Sequence, residues 1–408
     1  MYLKTCNIIL LIFVLSLISC DDHSNSTDMD LSDWKEDIEY LSSNLKNKHI
    51  NLFHRLSQEE FDSKIQSLIE DSSYLLDYEI AVRLLQIFNE VGDSHTAINA
   101  SPFVQLFPFN VELLEKEVIL SGINSENSSY LGHRIERINA FPIGDVIDSL
   151  KRVIAYENEH YLKVRLSQFL AVNEFLTYFS FKSLEDDLTI EFSSGEKIIL
   201  NLDQKISATL ADLDNAPLYL KKLNDYYWFE EFSDHGMLYI QYSRAKEMGP
   251  YSFSRFTDDV ITRIEANQSI NKVLIDLRLN PGGNSSIARP LINALNDLIK
   301  SDKIDSDEVF IAIGKRTYSS AVLNAIEFKE TLKAKWIGEP SGGKPNHFGE
   351  VRTFTLPNSG ILVYHSTKYF NHWHDDLVSS LAPDIIIHAN QSHILNGEDP
   401  VFNYVASR

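Results

Sequence analysis

Val273-Leu274-Ile275-Asp276-Leu277-Arg278-Leu279-Asn280-Pro281-Gly282-Gly283 decides how this chain folds. Val273 to Ile275 form a short continuous apolar run, which suits a strand buried on both faces of an α/β sheet. Pro281-Gly282-Gly283 then forces a turn. Beyond it Ile287, Leu291, Ile292, Leu295, Leu298 and Ile299 recur at helical spacing, with N-cap candidates from Asn284 to Ser286. The pattern predicts strand, glycine turn, helix. Unpaired N–H groups in such a turn, those of Gly282 and Gly283, can hold an anion or the oxyanion of an acyl-transfer intermediate.

Working outward, the same pattern repeats. Val309-Phe310-Ile311-Ala312-Ile313 reads as a second buried strand, and Ala321, Ala325, Phe328 and Leu332 fit one face of a following helix. Between them stands Tyr318-Ser319-Ser320-Ala321, which puts Ser320 where strand hands over to helix. A hydroxyl there lies at the positive end of the helix dipole, and the N–H of Ala321 is expected to be free to meet a developing negative charge. A capping role for Ser319 or Ser320 is the alternative. A third segment, Gly338-Glu339-Pro340-Ser341-Gly342-Gly343-Lys344, follows.

In this order, Asp-Leu-Arg-x-Asn-x-Gly-Gly, Ser-Ser-Ala and Gly-Glu-Pro-x-x-Gly-Lys resemble the C-terminal-processing (tail-specific) serine peptidases, whose core is shared by the tricorn protease and the interphotoreceptor retinoid-binding protein. The resemblance spans roughly residues 225 to 390. It implies an α/β, crotonase-like/ClpP-like core and a Ser320 nucleophile, with Gly283, Gly282 and Ala321 as oxyanion donors. Two general bases stay open. In the tail-specific branch a lysine in the position of Lys344 serves, unprotonated through desolvation. In the tricorn-like branch a Ser-His pair serves, and Ser94-His95 within Gly92-Asp93-Ser94-His95-Thr96 stands in the corresponding place. Imidazole takes and returns protons near neutral pH. The first choice is His95, oriented by Ser94 and an acid, for which Asp376 ahead of Pro383-Asp384 is the candidate.

Other chemistries fit less well. Gly338 to Lys344 matches part of a nucleotide-binding P-loop, but Pro345 stands where Mg²⁺ coordination needs Ser or Thr, and no helix opens there. His372 and His374 are possible zinc ligands without a signalled third. No cofactor is implied.

The N-terminus has Lys4, an apolar run from Ile8 to Ile18 too short to cross a bilayer comfortably, and Leu17-Ile18-Ser19-Cys20. This predicts a signal over residues 1–19, and the last four residues resemble the bacterial lipobox, which implies acylated Cys20, an exported lipoprotein and a bilayer partner. A polar acidic tether follows over residues 20–30. Cys6 would leave with the signal, so the mature chain can form no internal disulfide. The net charge of −21 disfavours nucleic acid and anionic headgroups as partners. The expected partner is a peptide or unfolded protein substrate.

The remaining length exceeds one compact core. Trp34 to about Val91 reads as helices, giving a helical domain over 31–100. Short strands at Val111 to Leu114, Val118 to Leu120, Ile135 to Ile138, Leu188 to Phe192 and Lys197 to Leu202, with one helical region from Tyr156 to Phe181, give a β-rich module over 101–215. Gly132-x-x-Ile135-x-x-Ile138-Asn139-x-x-Pro142-Ile143 resembles the centre of a PDZ-like insertion, which here lacks a Gly-Leu-Gly-like carboxylate-binding loop. The catalytic core is expected over 216–408, with Gly236 to Tyr242 as its first strand. A non-catalytic peptide- or small-ligand-binding lipoprotein on the same fold is the competing function, because fold alone does not fix activity.

Overall fold

The computed structural model describes residues 29–408. The signal, Cys20 and the tether up to residue 28 lie outside the described residues. Three amphipathic helices open the structure: α1 (Leu31–Lys48), α2 (Gln58–Asp71) and α3 (Asp77–Val91). Trp34, Ile38, Leu41 and Leu45 recur along one face of α1 and are all buried, as their spacing requires. Asp30 and Ser57 close capping boxes at the starts of α1 and α2. α3 stops at Gly92, which takes the left-handed C-terminal conformation (φ 76°), and β1 (Ala97–Ile98) follows.

The middle of the chain is β-rich. It runs through β2 (Asn110–Leu113), β3 (Val118–Ile123), β4 (Ile135–Ile138), β5 (Phe141–Pro142), α4 (Ile143–Leu150), α5 (Glu159–Phe169), α6 (Asn173–Tyr178), β6 (Leu188–Phe192), β7 (Lys197–Leu200) and β8 (Ala208–Thr209). Two antiparallel sheets result, ordered β5-β4-β6-β7 and β2-β3-β8. The helical region expected from Tyr156 to Phe181 holds two helices, α5 and α6. The chain breaks between α5 and α6 because the Ala171 carbonyl accepts from Phe107 N–H (2.8 Å) and Val172 bridges Leu106, so this backbone pairs laterally instead of along a helix.

The rest comprises β9 (Tyr227–Phe232), β10 (Met237–Tyr242), α7 (Phe253–Ala266), β11 (Lys272–Asp276), α8 (Arg289–Lys300), β12 (Val309–Ile313), α9 (Ser320–Leu332), β13 (Lys335–Gly338), β14 (His347–Thr355), β15 (Leu362–Phe370), β16 (Ile385–Ile386), α10 (Gln391–Asn396) and α11 (Pro400–Ala406). A six-stranded sheet runs β16-β13-β12-β11-β10-β9. All its pairs are parallel except β9 with β10, so its first strand is Tyr227–Phe232, one earlier than expected. Every residue of β11 and β12 is buried, because α7, α8 and α9 supply one apolar layer and α11 packs on the other face. Arg278 fastens α11 to the sheet by pairing with Asp276 (2.5 Å) and Asp399 (2.6 Å).

β14 and β15 form a hairpin, and β1 adds to it antiparallel with Ala97 opposite Tyr364 and Ile98 opposite Val363. Buried Asp37 on α1 accepts from the N–H groups of Asn358 (2.9 Å) and Ser359 (2.8 Å) at the hairpin turn. The helical layer and the hairpin are thereby locked together. That lock carries Gly92-Asp93-Ser94-His95 to the C-terminal edge of the central strands.

Candidate active site

β11 and β12 are adjacent and parallel, so the turns that leave them meet. They are stitched by Tyr318 N–H to Asn280 O (3.1 Å), Thr317 Oγ1 to Leu277 O (2.8 Å) and Asn280 Nδ2 to Tyr242 O (3.0 Å). Gly282 lies against the second turn. A Cβ there would come within 2.8 Å of Ser320 N and 3.0 Å of Ser319 Cβ, and its φ of 101° already favours glycine.

Ser319 has φ 52° and ψ −125°, a conformation that L residues rarely adopt and that costs on the order of 1–3 kcal/mol. It is the N-cap residue of α9, but its side chain makes no capping bond, and its hydroxyl has no hydrogen-bond partner among the described residues. The capping alternative therefore does not explain it. A strained strand-to-helix turn that exposes a hydroxyl is the local geometry of a nucleophile elbow. Ser320, the expected nucleophile, is placed differently: its Oγ donates to the Gly283 carbonyl at 2.6 Å and bonds neither His95 nor Lys344. Two of the expected oxyanion donors are also committed, since Ala321 N–H donates to Tyr318 O (3.0 Å) and Gly282 N–H to Asn280 Oδ1 (2.9 Å). The N–H groups of Gly283 and Ser320 carry no hydrogen bond among the described residues.

Against Tyr318 lies the Asp93-Ser94-His95 turn. Asp93 is fully buried and accepts from His95 N–H (2.9 Å), from Thr96 Oγ1, and from His49 Nε2 at 3.0 Å. Burial alone would raise this carboxyl, but these bonds and the neighbouring imidazoles outweigh it and hold it well below the usual range. His95 is 5% exposed. Its ring stacks on Tyr318 (4.6 Å between centroids) and on His347 (5.4 Å), while Tyr161 stacks on the far side of Tyr318 (4.3 Å). Nδ1 of His95 meets Tyr318 Oη at 2.9 Å; Nε2 is buried without a hydrogen bond. Burial, helped by His347, lowers the imidazole to about 3, so the ring is neutral, with Asp93 pulling the other way.

Ser94 Oγ contacts Tyr318 Oη (2.6 Å) and Glu157 Oε2 (2.5 Å). Burial raises the partly buried Glu157 carboxyl to about 8, with Asp93 acting in the same sense and Ser94 and Lys344 against it. Asp376, the expected orienting acid, instead accepts from Asn346 Nδ2 (2.5 Å) and Tyr369 Oη (3.1 Å) and makes no bond to His95 or Ser94. A cleft of about 660 Å³ runs alongside, lined by Arg55, Glu157, Lys344, Asn346, Tyr369 and Asp376 among others. The Lys344 side chain has no hydrogen bond or ion pair among the described residues. No group of three or more His, Cys, Asp or Glu among them could hold a metal ion.

The sequence brought Ser319-Ser320, the glycine turn, Ser94 and His95 to notice, and these lie in one neighbourhood. It did not pick out Tyr318, Glu157 or Tyr161. Tyr318 stands inside a quoted motif and was open to being read; Glu157 has no motif around it, and only tertiary packing brings it to Ser94.

Residues 236–387 match the family model described as Peptidase family S41. Mature CPAF complexed with lactacystin superposes with a TM-score of 0.63 at 10% identity, over 92% of this chain and 97% of that one. Another structure of mature CPAF gives 0.60 at 11%, over 92% and 96%. The photosystem II D1 C-terminal processing protease gives 0.41 at 10%, over 86% and 92%. No curated protein sequence matches. With the elbow and glycine turn at the C-terminal ends of its central strands, the matched domain is that of a serine-type peptidase. The domain over residues 236–387 is thus of the Peptidase family S41 kind, and the chain as a whole shares the fold of mature CPAF.

Proposed function

We propose that the chain is a serine endopeptidase that cleaves exported proteins or peptides through an acyl-enzyme, with Ser319 rather than Ser320 as nucleophile and His95 as general base. The observation that carries this reading is the Ser319 elbow, strained and with its hydroxyl unpartnered beside two free N–H groups. Ser319 Oγ attacks the scissile carbonyl carbon as its proton passes to Nε2 of His95. The resulting oxyanion lies against the N–H groups of Gly283 and Ser320, and the imidazolium returns the proton to the leaving amine. Water then repeats the sequence on the acyl-Ser319 ester. Lys344 and Arg55 on the cleft wall bind substrate. The β5-β4-β6-β7 sheet with α4 supports a PDZ-like module, and the parallel strands flanked by α8 and α9 support a crotonase-like core. Acylated Cys20 anchors the protein to a membrane.

A fluorophosphonate probe tests the assignment. Wild type and Ser320→Ala are expected to label, and Ser319→Ala is not. Labelling lost only in Ser320→Ala would return the role to that residue. His95→Ala is expected to slow cleavage by about 10²–10⁴, against less than about tenfold for Lys344→Ala; the reverse order would make Lys344 the base. Absence of both labelling and peptide cleavage in wild type would favour a binding lipoprotein.

A further inference from the structure

The His95 ring is held by something other than a direct carboxylate. Its Nδ1 meets Tyr318 Oη, Tyr318 Oη meets Ser94 Oγ, and Ser94 Oγ meets Glu157 Oε2, at 2.9, 2.6 and 2.5 Å. The polarity of this series is fixed from its far end. The Ser94 hydroxyl donates to Glu157 Oε2: an ionised carboxyl can only accept, and one that holds its proton on Oε1 still accepts at Oε2. Ser94 then accepts from Tyr318, which leaves the Tyr318 oxygen to accept from His95. The proton of the neutral imidazole therefore sits on Nδ1, and Nε2 keeps its lone pair. Nε2 is also the ring nitrogen that is buried without a partner.

We propose that Tyr318 is a positioning residue which, with Ser94 and Glu157, sets the tautomer of His95 and steadies the imidazolium formed during acylation. This rests on His95 being the general base. When Nε2 takes the proton from the nucleophile, Nδ1–H remains donated to Tyr318, and two hydroxyls carry that polarity on to the Glu157 carboxyl, which adds a counter-charge where it is ionised, above about pH 8. No net proton needs to leave the cluster. The stack with Tyr161 and His95 holds the Tyr318 ring in plane, so its hydroxyl has little freedom to turn elsewhere. Other ionisable groups face the same atoms. Asp93 Oδ1 lies 4.0 Å from Nδ1, His347 stacks on the opposite face of His95, and Asp93 and Lys344 both act on Glu157.

Tyr318→Phe keeps the ring and removes the link. It is expected to lower fluorophosphonate labelling and casein cleavage by roughly tenfold to a hundredfold, through kcat rather than KM, since a base that has lost its orienter retains part of its effect. Losing the acceptor for Nδ1–H disfavours the imidazolium, so the acid limb of the pH–rate profile moves to lower pH. Ser94→Ala is expected to do the same, Ser94→Thr to restore activity, and the double variant to lose no more than the worse single. Nitrogen-15 spectra of labelled histidine, with His95→Gln for assignment, are expected to report protonated Nδ1 and bare Nε2 in wild type. This readout does not need the protein to be active, so it separates the failure of this arrangement from the failure of the peptidase reading. Nε2-protonated His95, Tyr318→Phe activity within twofold of wild type, or multiplicative losses in the double variant would each overturn the proposal. If Tyr318→Phe does not fold, the Ser94→Ala and Ser94→Thr pair decides alone: equal losses refute it, and rescue by threonine upholds it.

Discussion

Glu157 gives the site a pH signature that can be followed without any substrate. Its carboxyl stands near 4.5 when the chain is unfolded and is raised to about 8 in the fold. The folded state therefore binds the extra proton, and the stability this contributes is fully present below about pH 4.5 and is lost as pH rises through 8. Glu157→Gln removes that slope. Between pH 5 and pH 8, the unfolding midpoint of wild type is predicted to fall further than that of Glu157→Gln; equal slopes in a thermal melt would show that the carboxyl is ionised throughout. His95 works in the opposite sense, because its folded value of about 3 is depressed from 6.5, so its contribution is present above 6.5 and is lost as pH falls toward 3. Such environments are not written in single positions of a sequence. Ser319 and Ser320 are chemically identical and adjacent, and only the backbone angles distinguish the strained one from the one that bonds the Gly283 carbonyl. The identity of the acid was equally hidden, since Asp376 and Glu157 both line the cleft and only the path of the chain decides which reaches Ser94.

At the level of elements, the attachment of α1 to the β14–β15 turn rests on a few bonds. Asp37 is wholly buried and satisfies two backbone N–H groups of that turn together with Asn358 Nδ2 (3.2 Å). Asp37→Ala strands these donors, and is predicted to destabilise the protein by about 1–3 kcal/mol. Urea unfolding measures this, and a change below a few tenths would mean that water replaces the carboxylate without loss. Elements were the best-read level in the sequence. β11, β12, β4 and β6 fall where their apolar patterns put them, because fully or alternately buried strands leave a plain periodicity. The α5–α6 break and the antiparallel β9 escaped notice because neighbours from elsewhere in the chain impose them.

For the molecule as a whole, no helix among the described residues is long and apolar enough to cross a membrane. The tie to a bilayer under the proposed function is the acyl chain on Cys20. Cys20→Ala is predicted to move the protein from the detergent phase to the aqueous phase on phase separation while leaving fluorophosphonate labelling of the solubilised protein intact. Retention in the detergent phase would point to another anchor. The succession of helical, β-rich and α/β stretches along the chain follows changes in hydrophobic period. The way these parts close over one another was not legible, because pairs such as Asp37 with Ser359 join residues far apart in the chain.

The imidazole and the elbow are 224 positions apart, one fixed by helices laid down early and the other by the sheet completed late. A chain emerging from its N-terminal end would thus present the proposed proton acceptor long before it owned the proposed nucleophile. On the proposed assignment of Ser319 and His95, hydrolytic competence waits for the docking of the two halves, and an unfinished polypeptide is expected to be inert toward itself and its neighbours.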